Sequence, residues 1–157
     1  MKTIALRFAD NYAPADGTIK LHEDVINEYG YVWYGKFGNS LSQKNIDMLL
    51  EMKEKRFLLI KSGGQERYWA HFVDIKKEEI NVEAIPKYYR DDKERVKCWL
   101  KITKFEKADP KVMSKCFVSS NGSLLSNTSK YSMSPYFVID YKEEENEQNR
   151  FYVIEDN

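Results

Sequence analysis

The sequence predicts an α+β fold. Two stretches place apolar residues at helical spacing, several short stretches alternate apolar and polar residues, and turn residues separate them at short intervals. A chain of 157 residues has the length of one domain and can bury one sizeable core, so a single domain over residues 1–157 is expected.

Residues 3–8 set Ile4, Leu6 and Phe8 against Ala5 and Arg7, which predicts a first strand. Residues 11–17, with Pro14 and Gly17, read as a loop, and Asp16 is placed to cap a helix that runs to Tyr29. Ile19, His22, Val25, Ile26 and Tyr29 follow helical spacing in it, and Gly30 suits its stop. Residues 31–37, YVWYGKF, form an aromatic-rich strand. Ser40 or Ser42 then caps a second helix to about Lys55, whose inner face carries Ile46, Leu49, Leu50 and the stem of Lys53. Residues 57–61 and 67–75 flank Ser62-Gly63-Gly64 and read as a β-hairpin. A longer connection holds Pro86 and the pair Tyr88-Tyr89. Residues 95–105 give the clearest strand, with Val96, Cys98, Leu100 and Ile102 on one face and Lys97, Trp99, Lys101 and Thr103 on the other. Asp109-Pro110 begins a loop or short helix. Residues 119–134 are polar and rich in Ser and Asn, which suggests a flexible surface loop. Residues 136–140 form a strand. Residues 142–149 are an acidic loop or linker, and residues 151–154 a short final strand.

Lys+Arg and Asp+Glu number 25 each, so no global charge draws the chain toward nucleic acid or a membrane, and any such affinity needs a local patch. Aromatic residues make up 14% of the chain; they can fill a core, stack on bases or build a cage. Cys98 and Cys116 form no CxxC pair and read as reduced thiols. The start lacks the pattern of a signal peptide, and no apolar run reaches the roughly 20 residues of a membrane span. The expected compartment is the cytoplasm, with no membrane contact.

No catalytic constellation is visible. His22 lies on an apolar helix face and reads as a core or pocket histidine bonded to backbone. Cys98 lies on an apolar strand face, where a thiol is inert. Neither GxxxxGK[ST] nor GxGxxG occurs, and the two cysteines and two histidines are too scattered for a zinc site. The expectation is a protein that is not an enzyme and uses no metal or cofactor.

Trp99 stands between Lys97 and Lys101, either covered by another element or free as a stacking platform beside phosphate-binding cations. Trp33, Tyr34, Tyr68 and Trp69 form two adjacent pairs, and alternation turns only one of each pair to a given face. Some fill the core, and others can wall a pocket for a planar guest. Ser119, Ser120, Asn121 and Asn127 offer hydroxyls and amides that either face solvent or bond base edges and phosphates. Arg90, Lys115 and Lys130 add local positive charge.

In order of elements the chain resembles the PUA-like superfamily, and within it the EVE and YTH-like branches. The resemblance rests on GYVWYGKFG after a first helix, a second helix, RFLLIKSGGQERYWAHFVDI, VKCWLKITKF and SMSPYFVID, and covers roughly residues 3–140. It implies a small curved mixed β-barrel of about five to seven strands with two or three packed helices. It implies binding rather than catalysis, with an unpaired or flipped modified base in an aromatic pocket. On this chain, Trp33, Trp69 and Trp99 become the pocket candidates, Ser119 and Asn121 the polar contacts to the base, and Lys97, Lys101, Arg90, Lys115 and Lys130 the phosphate or rim contacts. Modules of McrB-type restriction proteins are similar, which points to DNA over RNA, to a prokaryotic defence setting and to an effector domain or subunit beyond the carboxy terminus. A sensor for a small nucleotide-like ligand and a protein-interaction domain stay open beside this reading.

Overall fold

A computed structural model describes residues 1–10, 17–78, 80, 83–89 and 93–143. The chain divides into two compact units, one of Leu6–Ala108 and one of Met1–Ala5 with Asp109–Asn157. The described residues hold seven strands and three α-helices, the expected α+β fold. The seven strands form a mixed sheet whose order has two free ends, so the expected small curved barrel is not closed.

The larger unit takes the end of β1 (Lys2–Phe8), then α1 (Thr18–Tyr29), β2 (Val32–Phe37), α2 (Gln43–Leu50), β3 (Arg56–Lys61), β4 (Arg67–Lys76) and β5 (Val96–Lys107). Its strands run in the order β2-β5-β4-β3-β1. The predicted hairpin is β3 and β4, antiparallel, with Leu58 opposite Trp69 and Gly63 at φ 71° in the turn. Its register places Phe57, Leu58, Leu59 and Ile60 in the core. β5 pairs with β4 on one side and β2 on the other, and the ladder skips Val73, which bulges outward.

α1 is capped from a distance. Asp16 lies outside the described residues; it is Asp10 whose Oδ1 accepts the Thr18 N–H at 2.9 Å. Gly17 has no side chain to do so. Gly30 ends the helix at φ 84°, returning its N–H to the Ile26 carbonyl. Ser42 caps α2 by accepting the Asn45 N–H. That helix stops at Leu50 rather than near Lys55, because Met52 bonds to the Leu49 carbonyl in a tighter turn and Lys53 and Glu54 are exposed, with no apolar face to bury.

β2 is an end strand, yet its free edge is closed. The Trp33 N–H donates to the Ala84 carbonyl at 2.9 Å, and the Gly35 N–H donates to the Tyr89 hydroxyl oxygen at 3.2 Å. The segment 84–89, with a 3-10 turn at Lys87–Tyr89, thus supplies partners that a further strand would have given. A β-carbon on Gly35 would stand 3.0 Å from atoms of Trp99, Tyr89 and Val96 at once. Gly35→Ala should therefore destabilise the protein by about 1–3 kcal/mol through overpacking. An unchanged urea midpoint would contradict this packing.

The smaller unit takes the start of β1, a 3-10 turn at Val112–Lys115, β6 (Cys116–Val118), α3 (Leu125–Tyr131) and β7 (Tyr136–Tyr141), with strand order β1-β7-β6. Met1 ties to β7 in both directions: its amino group donates to the Tyr141 carbonyl, and the Tyr141 N–H donates to the Met1 carbonyl at 2.7 Å. Residues 119–134 are a turn and a helix, not the expected flexible loop. Gly122 at φ 72° lets its N–H reach the Val118 carbonyl at 2.8 Å, and Leu125 is fully buried. The helix is weak by propensity and held by that one anchor, so its Ser, Asn and Thr residues read as a loop. The expected loop at residues 11–16, most of the acidic run and the strand at residues 151–154 lie outside the described residues.

Candidate functional site

α1 carries two apolar stripes. Ile19 and His22 turn into the core, while Leu21, Val25 and Tyr29, at i, i+4 and i+8, remain only partly covered. The second stripe faces Glu83, Ile85, Pro86, Lys87 and Tyr88 across a groove of about 540 Å³, with Asp24 and Glu28 also along the helix side. Cavities of this size suit small molecules or single nucleotide units.

Behind the groove lies an aromatic cluster. Trp33, Ala84, Ile85, Tyr89, Val96 and Trp99 are buried together, with Val25, Tyr31, Phe37 and Tyr88 packed against them. Val25, Ile85 and Tyr88 belong to both cluster and groove, and the Tyr88 and Tyr89 rings stack at 4.6 Å. Trp99 sits in this cluster, the covered one of its two expected alternatives, because Tyr89 and its segment pack over it.

His22 and Tyr89 fix the base of the cluster. His22 Nδ1 lies 2.7 Å from the Thr18 carbonyl, which can only accept, so Nδ1 carries the proton. Nε2 then accepts from the Tyr89 hydroxyl at 3.1 Å. Burial pushes the His22 pKa down to about 4, so the ring is neutral. Burial likewise raises Tyr34, Tyr88 and Tyr89, which stay protonated.

Cations border the cluster at its Trp33 side. The Lys101 ammonium lies 4.3 Å from the Tyr31 ring centre and 5.7 Å from Trp33, and Lys76 lies 5.9 Å from Trp33. Lys97 is exposed, with its ammonium on the Glu94 carbonyl. Tyr29 lines the groove, and Tyr31, two residues on, lies beneath Lys101.

Of the residues singled out in the sequence, Trp33, Trp99 and Lys101 come together here. Trp33, Trp69 and Trp99 are all buried, at 7%, 4% and 3% exposure, and none lines the groove. Trp69 lies elsewhere on β4, with the Arg56 guanidinium 4.3 Å over its ring. Ser119, Asn121, Lys115 and Lys130 belong to the smaller unit. There Asn121 Oδ1 accepts the Ser123 N–H and shapes a turn, Lys115 accepts the Lys142 N–H through its carbonyl, and Lys130 is exposed at the end of α3. Ser119 Oγ is enclosed without a hydrogen-bond partner among the described residues. Arg90 lies outside the described residues. Leu21, Tyr29, Ile85, Pro86 and Tyr88 line the groove without a motif that marks them. The Leu21–Val25–Tyr29 spacing was the available signal, but it overlaps the core stripe on the same helix.

A second cleft, of about 300 Å³, lies among Asp10, Thr18, Lys61 and Tyr68. Its polar groups are engaged internally. Asp10 holds Lys61 at 3.0 Å while capping α1, and Lys61 also reaches Glu66. These contacts lower the Asp10 pKa, the Thr18 N–H first among them. His71 pairs with Glu106 at 3.1 Å. Burial raises both thiols, Cys116 to about 12. Among the described residues, no three His, Cys, Asp or Glu side chains gather as metal ligands, and no helix is long and apolar enough to cross a membrane.

A family model described as Pua-like matches residues 4–156. No curated protein and no solved structure matches the chain. Pua-like domains are generally RNA- or DNA-binding modules and typically non-catalytic.

Proposed function

Because this chain belongs to the Pua-like family, we propose that it is a non-catalytic nucleic-acid-binding module that holds a modified base in the groove beside α1. The observation that carries this reading is the groove with Tyr29 and Tyr88 in its walls and Lys101 over the adjoining Tyr31. Tyrosine faces accept a planar base, and the apolar side chains between them favour a methyl group over bare ring. Lys76, Lys97 and Lys101 take the phosphates. Trp33 and Trp99 act from behind, as the rigid floor that positions Ile85 and Tyr88. The preference for DNA, the restriction or defence setting and an effector partner follow the sequence resemblance.

Extruding a base costs a few kcal/mol, least where it is already unpaired. The test is a binding titration with single and double strands, with and without methylated adenine or cytosine, at two salt concentrations. The modified strand should bind tighter, and binding should weaken as salt rises. Lys76→Ala with Lys101→Ala should reduce the duplex salt slope by about 2, at ~0.9 per phosphate contact. Equal affinity for modified and plain strands removes the modified-base claim. Absence of any binding removes the nucleic-acid reading.

A further inference from the structure

The charge on the groove separates it from its lysine border. Asp24, Glu28 and Glu83 line it against the single lysine Lys87. Asp24 also pairs with Lys20 along the helix, whereas Glu28 and Glu83 are exposed carboxylates at the groove. Carboxylates beside the phosphate path of a nucleic acid are unfavourable unless the group seated among them is itself positive.

We infer that the groove selects bases whose methylation on a ring nitrogen leaves the ring positively charged. This deepens the reading above and rests on it. Tyr29 and Tyr88 line the groove, and a tyrosine ring attracts a cation to its negative face; Val25, Ile85 and Pro86 line it with apolar surface for the methyl group. Glu28 and Glu83 add a modest, salt-screened attraction from their exposed positions at the groove. A base methylated on carbon or on its exocyclic amine stays neutral and gains only the apolar contact. The negative groove and the lysines beyond Tyr31 thereby sort one nucleotide into its two parts, cationic base inside and phosphate outside.

Isomeric nucleosides test this without phosphates. They are 1-methyladenosine against N6-methyladenosine, and 3-methylcytidine against 5-methylcytidine, titrated into the whole protein at neutral pH. Within each pair the methyl count is equal, while the charge and the position of the methyl differ; a carboxylate variant isolates the charge. The charged isomer should bind about tenfold tighter, and the preference should shrink as salt rises. Glu28→Gln with Glu83→Gln, both at exposed positions that leave the core intact, should bring the two isomers to within about twofold. Equal binding of the isomers in the wild type, or an unchanged preference in the double variant, overturns the inference. Selective capture of a lysine-rich peptide with no nucleoside preference overturns it too and makes the groove a protein-docking site. Oligonucleotides carrying the same four bases separate the two levels. Binding without charge preference sinks only this inference, while no binding at all sinks the nucleic-acid reading beneath it.

Discussion

Replacing Tyr89 with alanine should destabilise the protein by about 3–5 kcal/mol, and replacing it with phenylalanine by about 2 kcal/mol. The two numbers separate two roles. The ring is 2% exposed and packs against Trp99, Phe37 and Tyr88, so alanine leaves a cavity under β2. Phenylalanine keeps the ring but strips the hydroxyl, leaving His22 Nε2 and the Gly35 N–H without the partner they share. Unsatisfied buried groups bear their full desolvation cost, which is why a single oxygen matters here. Urea unfolding gives the magnitudes. Amide exchange gives the place: the Gly35 amide should exchange faster in the phenylalanine variant, with the ladder between β3 and β4 much less affected. A phenylalanine variant as stable as the parent would refute the edge-closing role of the hydroxyl.

Acidification from pH 7 to 4 should remove about 3 kcal/mol of stability through His22 alone. The folded pKa is about 4 against 6.5 for an ordinary histidine, and burial is the larger cause. The unfolded chain therefore binds a proton across that window and the folded chain does not. The stabilisation is complete above pH 6.5 and declines as pH falls toward 4. Asp10 and Glu106, with pKa values lowered by their partners, contribute stability that is lost only as pH falls through the carboxylate range. The His22 loss is thus the earlier of the two. Urea midpoints measured every half unit should slope upward between pH 4 and 6.5 by up to one proton. In His22→Gln, which keeps an amide in place of the ring, that slope should flatten. An equal slope in both proteins would assign the effect to other groups.

Much of the fold was legible because period and turn chemistry agreed. The hairpin of β3 and β4 followed from Ser62-Gly63-Gly64 between two apolar runs, and Gly30 and Ser42 marked helix ends by mechanisms that need no tertiary information. β6 is not legible in the sequence, because three residues carry no period. Alternation alone left Trp99 either covered or free; it is covered, because β2 is buried on both faces and the neighbouring part of β5 is buried around Trp99 although Lys97 stays exposed. The cover comes from residues 84–89, whose role depends on a hydroxyl meeting a strand edge 54 positions away. The groove was illegible for a related reason. Half of its wall comes from that same connection, which has no periodicity of its own.

Each compact unit contains one cysteine, Cys98 in the larger and Cys116 in the smaller, both buried and both with raised thiol pKa values. A thiol-alkylating reagent meets neither as a thiolate in the folded protein, so modification of each waits on an opening event of the unit that contains it. The pair is therefore a built-in double clock. Mass spectrometry of the two cysteine peptides over time reads two opening rates from one unmodified chain. Coincident rates mean that the chain opens as one cooperative body, and divergent rates give each unit its own lifetime.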